Sequence, residues 1–276
     1  MENFYDIVKK INARKADMEW LMTSKWNGKT ANPELFDVET DSDDLSMGTT
    51  GEKHQALANE VMEHLDSVCL SSKFRLASGE GTVTFEQMVG MLARDSMLSD
   101  TIIDFSIRCI CNTLEDCFAL DSFAVTLRCP DPPATRISNI HYVVLPVHLS
   151  NIHWGVIIVG IAYKRETPTF TPYYYEPLCI SSYSATLEAT FEKTVRPFLR
   201  DWHNKTMSCM EYPVKEDGVW LNAPKQPDGT SCGVMIIAQV QSVLKDSFRF
   251  SKTTVTADDI AVMRLRIMWM IVINQR

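Results

Sequence analysis

Two neighbouring runs, His141–His148 (HYVVLPVH) and Trp154–Tyr163 (WGVIIVGIAY), do most to limit what this chain can fold into. Each is nearly continuous in apolar and β-branched residues, whereas a strand with one face in water would alternate. The pattern predicts two buried strands. A charged turn at Lys164–Thr169 separates them from a third, aromatic run, Phe170–Leu178 (FTPYYYEPL). Helical spacing is found over 3–22, 53–69, Phe85–Leu92, Asp100–Leu114, Leu187–Trp202 and Cys232–Leu244. A final helix opens at Thr256, where Thr can cap and Asp258 and Asp259 suit the first turn. Strands and helices that come in blocks, without strict alternation and without an internal repeat, predict an α+β fold.

At 276 residues, 45% hydrophobic and 22% charged, the chain can bury a substantial core and has an ordinary globular composition. Its acidity is uneven. Residues 1–81 hold 9 Lys and Arg against 15 Asp and Glu, whereas residues 82–276 hold 18 against 20. Polar residues dominate Lys25–Glu52, with an acidic run from Glu39 to Asp44, so this stretch reads as a linker. The Gly-containing break at Ser78–Gly81 marks the expected boundary between a helical and acidic N-terminal extension, 1–81, and a main domain, 82–276.

Neither part carries a dense basic stripe, so no nucleic-acid partner is expected. The start MENFYDIVKK lacks a basic region followed by an apolar run, so no signal peptide is expected. The run Ile260–Ile273 is short and is interrupted by Arg264 and Arg266, so no membrane span is expected either. Eight cysteines at irregular spacing, without a CxxC pair, read as reduced thiols of an intracellular protein of nucleus or cytoplasm. Cys109, Cys111 and Cys117 read as buried helix cysteines, and neither a metal nor another cofactor is expected.

Chemistry concentrates in Gln226-Pro227-Asp228-Gly229-Thr230-Ser231-Cys232-Gly233, which opens an apolar helix. A cysteine in a first helical turn faces unpaired backbone N–H groups, which favour a thiolate. Gly229 suits a tight turn, and Gly233 would let a substrate backbone come close. A nucleophilic cysteine also needs a base and donors aimed at the developing oxyanion. The Cys232 N–H and the Gln226 amide are the candidate donors.

Of six histidines, His153 stands at a loop-to-strand junction, a rigid place for a base. His148 and His141 are strand-end competitors, while His54, His64 and His203 fall in polar segments and read as surface residues. Glu176 lies inside the aromatic run, where a lone carboxylate is costly unless paired. An imidazole is its natural partner. The alternative is a carboxylate that ends its strand in solvent.

The order His153-Trp154, then Glu176, then Gln226-x5-Cys232-Gly233 resembles the ubiquitin-like-protein-specific (Ulp/SENP, SUMO protease) cysteine peptidases, which share a core with the adenovirus protease. Leu98–Phe105 resembles the start of that family's Trp-Leu-Asn-Asp helix, Val144–Val147 its Ile-Pro strand, and Asp258–Ile273 its closing helix with an Arg-x-Arg core. The resemblance covers about residues 82–276. It implies a papain-like (adenain-like) fold, with a central mixed sheet flanked by helices and the cysteine at a helix N-terminus.

It also implies a SUMO-like modifier as partner and cleavage after its C-terminal Gly-Gly, with Cys232 as nucleophile, His153 as base, Glu176 as orienting acid and Gln226 in the oxyanion hole. Trp154 would wall a narrow tunnel for the tail, and Asp100 would lie near that tail. Two positions depart from the family pattern: Glu176 stands where Asp is usual, and Met97 where a tunnel-covering tryptophan is expected. An acyltransferase of the YopJ type, with its own His, Glu, Cys order, and a non-enzymatic modifier-binding module are the competing readings.

Overall fold

In chain order, the computed structural model contains α1 (Phe4–Thr23), α2 (Thr50–Asp66), β1 (Lys73–Arg75), β2 (Thr82–Thr84), α3 (Phe85–Leu92), α4 (Asp100–Asn112) and β3 (Cys117–Ala119). There follow β4 (Tyr142–Leu149), β5 (His153–Ala162), β6 (Thr169–Tyr175), α5 (Ser181–Thr190), α6 (Arg196–Met207), β7 (Val214–Lys215), β8 (Val219–Trp220), α7 (Cys232–Leu244) and α8 (Ala257–Ile273). The residues described are 4–29, 49–66, 68–69, 71–76, 79, 81–150, 152–163, 167–222, 224–245, 250 and 254–274. Most of the expected linker, with its acidic run, lies outside them. So do residues 78 and 80 of the expected boundary and 164–166 of the charged turn.

The chain forms two compact units. One joins Met1–Cys109 with Pro227–Val234 and Val255–Arg276; the other joins Ile110–Gln226 with Met235–Thr254.

In the first unit, helix starts are fixed by side chains. Thr84 accepts from the Gln87 N–H at 3.1 Å and its own N–H donates to Gln87 Oε1 at 2.9 Å, a reciprocal cap that begins α3 at Phe85. Thr256 and Asp259 do the same for α8, as the sequence leads one to expect. α1 packs on α3, and α2 packs on α8 and on the 3-10 turn Trp26–Gly28. Trp26 is fully buried there, with its indole N–H donating to the Leu21 carbonyl at 2.9 Å.

Two of the histidines expected at the surface are inside. His54 is buried because it falls on the same face of α2 as Leu57, Val61 and Leu65. His203, on α6, is buried between the Tyr163 hydroxyl at 2.7 Å and the Met210 carbonyl at 3.0 Å. His64 is half-buried.

In the second unit, among the described residues, six strands make one mixed sheet. β4, β5 and β6 run antiparallel in sequence, while β3 pairs parallel with β4, and β7 and β8 pair parallel with β6. Val143, Leu145 and Val147 alternate with Val144 along β4, yet all are buried, as are Val156, Ile157, Ile158 and Val159 on β5. Both faces of these strands leave water, which is why their sequences run apolar without alternation. Each such side chain contributes roughly 1.5–3 kcal/mol of burial.

Leu187, Phe191, Phe198, Leu199 and Trp202 from α5 to α6 join the same core. The helix expected over Leu187–Trp202 is one helical path with a π turn at Phe191–Val195, where the Arg196 N–H reaches back to the Phe191 carbonyl. Pro197 follows in the first turn of α6 and has no N–H to offer the ladder, so a local widening is accommodated there. Among the described residues, no helix is long and apolar enough to cross a membrane.

Candidate active site

His153 begins β5, pairs with Leu149 of β4, and is held at 3% exposure. Glu176 follows the last residue of β6, the strand that pairs antiparallel with β5. The two side chains meet with Nε2 of His153 2.9 Å from Oε2 of Glu176. At 2% exposure the carboxylate is inside the protein and does not end its strand in solvent.

The chain after Glu176 makes that burial tolerable. Cys179 takes a left-handed φ of 55°, which folds Pro177–Ile180 back on the carboxylate. The Leu178 N–H then donates to Oε2 at 2.9 Å, and the Ile180 N–H donates to Oε1. Ile180 is also the N-cap of α5, so the negative charge sits at the positive end of that helix. An ionised carboxylate accepting from Nε2 fixes the proton there, which places the basic lone pair of the neutral ring on Nδ1. The imidazole is further oriented by the Tyr183 ring of α5, stacked at 5.0 Å and 22°. Trp154, next to His153, is buried and stacks on His148 across β4 and β5 at 4.4 Å.

Gln226 closes a loop fastened to the end of β6. The Leu221 N–H donates to the Tyr174 carbonyl at 3.0 Å, the Tyr175 hydroxyl to the Pro224 carbonyl at 2.8 Å, and the Gln226 N–H to the Pro177 carbonyl at 3.0 Å. Its backbone is therefore anchored on the loop that cradles Glu176.

In the first unit, Cys232 is the first residue of α7 and is buried. Asp228 shapes the turn leading to it, its Oδ1 accepting the N–H groups of Thr230 and Ser231, each at 2.8 Å. Burial pushes the Asp228 carboxyl up, but those donors and the Arg264 guanidinium outweigh it and hold it below the usual range. Gly229 has open space where a Cβ would stand and no left-handed φ, so the turn does not need glycine there. Gly233 is different. A Cβ there would fall 2.9 Å from Ile103 Cδ1 and 3.0 Å from Leu98 Cβ, so close packing of protein on protein is by itself a reason for glycine. Met97, beside Leu98, is 47% exposed. Asp100 starts α4 and accepts the Thr101 N–H at 2.8 Å.

No family model matches the sequence, and no curated protein matches it. Solved structures do. The C-terminal Ulp1 protease domain, solved with Smt3, the yeast ortholog of SUMO, is 18% identical, with a TM-score of 0.55 over 80% of this chain and 95% of that one. The catalytic domain of a Ulp1-like SUMO protease from Chaetomium thermophilum is 15% identical, with a TM-score of 0.54 over 80% and 89%. A de-sumoylating protease gives 15% identity and a TM-score of 0.51 over 73% and 91%.

The chain has the Ulp1-type protease fold.

Within that fold, His153, Glu176, Trp154 and Gln226 belong to the second unit, where His153 meets Glu176 directly and Gln226 is tied to the adjoining loop. Cys232, Gly233, Met97 and Asp100 belong to the first, where Gly233 abuts Leu98. His148 and His141 are exposed; His141 pairs with Asp116. Cys109 and Cys111 are buried on α4, whereas Cys117 is on β3, not on a helix, and burial raises its thiol.

Two side chains near these residues were given no role by the sequence. Tyr183 announces itself by nothing but a helical position after the acid. Arg264 does leave a signal, a cation in the middle of an apolar helix. It is fully buried and donates to the carbonyls of Met91 at 2.9 Å and Ser96 at 2.7 Å. Burial lowers its guanidinium to about 10, with the nearby Asp228 and Asp95 carboxylates opposing that shift.

Proposed function

We propose that the chain is a cysteine peptidase that cuts after the C-terminal Gly-Gly of a SUMO-like modifier, releasing it from lysine conjugates or trimming its precursor. The observation that carries this reading is the buried His153–Glu176 hydrogen bond at 2.9 Å, set on a Ulp1-type fold with a cysteine opening a helix. A buried acid enforced by two backbone N–H groups is costly to maintain for structure alone, and it is what a general base needs in order to hold one tautomer.

In this reading His153 Nδ1 takes the proton of Cys232 Sγ, and the sulfur attacks the carbonyl carbon of the modifier's last glycine. The Cys232 N–H and the Gln226 side-chain amide donate to the oxyanion. As the C–N bond breaks, His153 returns the proton to the departing lysine amine. Water, deprotonated by the same ring, then hydrolyses the thioester and regenerates the thiol. Glu176 stays ionised throughout and balances the transient imidazolium. The residues of this chemistry all fall within 82–276.

The test is a panel of ubiquitin-like modifiers bearing C-terminal electrophiles, read by mass spectrometry. One SUMO-like member should become attached to Cys232, and Cys232→Ser should abolish the adduct. Attachment at another cysteine, or no adduct with any modifier, would overturn the reading.

A further inference from the structure

The N-terminal helix α1 holds a fully buried acid, Asp17, far in sequence from every residue assigned a role above. Its Oδ1 accepts Nε–H of Arg94 at 2.8 Å and a second N–H of the same guanidinium, while its Oδ2 lies 3.1 Å from Nη2 of Arg14. A buried carboxylate flanked by two guanidiniums keeps its place only while both partners stay, because losing one leaves charge uncompensated.

Arg94 is where the chain is strained. It has a φ of 62° between α3 and α4, a left-handed conformation that is unfavourable for a residue with a Cβ and persists only where its surroundings enforce it. Asp17 supplies that enforcement from α1. Arg264 supplies it from α8, bracketing the same turn through the Met91 and Ser96 carbonyls. The next residues are Met97, large, apolar and exposed, and Leu98, whose side chain lies against Gly233, the neighbour of Cys232. An unbroken series of contacts therefore runs from Asp17 through Arg94 and the loop to the helix start that carries the thiol.

We infer that Asp17 is a positioning residue of the peptidase: by clamping Arg94 it fixes the Met97–Leu98 wall, and so sets how strictly the site sorts the last residues of a modifier. This rests on the peptidase reading. It makes α1 a working part of the site, although it lies in the stretch set apart in sequence as an extension.

Arg94→Asn in the full chain is the decisive variant. Asparagine tolerates a left-handed φ, so the backbone is kept while the ion pair is lost. Arg94→Lys is the conservative control, and Asp17→Asn attacks the clamp from its other side. Two readouts are taken: amide hydrogen exchange over residues 91–99, and the ratio of kcat/KM for modifier amides ending in Gly-Gly and in Gly-Ala.

Arg94→Asn should speed exchange in the loop and lower the tail ratio about tenfold, the lower end of what a pocket gains by rejecting one extra carbon. The change should come mainly from faster turnover of the Gly-Ala tail, and Arg94→Lys should restore most of the ratio. Unchanged exchange would overturn the clamp, and faster exchange with an unchanged ratio would overturn its role in specificity. A wild-type chain inert to every modifier would sink the peptidase reading instead, and the exchange result would still decide whether Asp17 holds the loop.

Discussion

His153 in the second unit and His54 in the first are both nearly sealed from water, at 3% and 1% exposure. Their surroundings differ in sign. His153 meets a carboxylate that two backbone N–H groups hold in place, and a tyrosine ring fixes its plane. Neither ring nitrogen of His54 has a hydrogen-bond partner among the described residues. Burial, then Arg266 and Lys29, push its pKa from 6.5 down to about 4, with Asp259 opposing. In the peptidase reading the first site carries a proton reversibly, whereas the second resists one. Depth of burial does not distinguish the two histidines, whereas an enforced acid partner does.

Glu176→Gln should break the contrast most severely. The side chain keeps its length, but its NH2 must face either the Ile180 N–H or the His153 ring together with the Leu178 N–H, and the countercharge to the imidazolium is lost. By the behaviour of triad acids replaced by amides, kcat should fall on the order of 10³–10⁴-fold. Turnover of whichever modifier labels Cys232 would measure it, with thermal unfolding as a check on the fold. A loss smaller than tenfold would remove Glu176 from its role.

His54→Leu sharpens the other side. Folded His54 stays neutral down to about 4, while in the unfolded chain it takes up a proton below its ordinary 6.5. The unfolded state thus binds more protons in that window, and the wild type should lose stability as pH falls through it, on the order of 3 kcal/mol from this group. The variant should lack that part of the slope. Urea midpoints at pH 7.5 and 4.5, compared between the two proteins, report the difference, and parallel slopes would contradict the assignment.

Much of this was legible because it depends on local rules. The Thr256 cap, the double-sided strands β4 and β5, and Cys232 as the first residue of α7 all follow from spacing within a dozen residues. The Glu176–His153 pairing was readable too, since an acid among aromatic residues demands a partner. His54 differs from its surface reading because its neighbours in sequence are polar, whereas its place on the apolar face of α2 buries it. Arg94 and Asp17 are 77 positions apart, and no pattern in one sequence joins them. The same holds for the assembly of the first unit from three separate stretches, a tertiary outcome with no local signature.

In the peptidase reading His153, held by Glu176, serves the sulfur of Cys232. That role is tested most directly by the rate at which a small chloroacetamide labels Cys232 at pH 7 in the wild type and in His153→Ala, with exposed Cys69 and Cys209 as internal references. The account predicts that Cys232 labelling slows at least about 10²-fold, the scale of a general base's contribution, while the references are unchanged. Equal rates at Cys232 in the two proteins would contradict it.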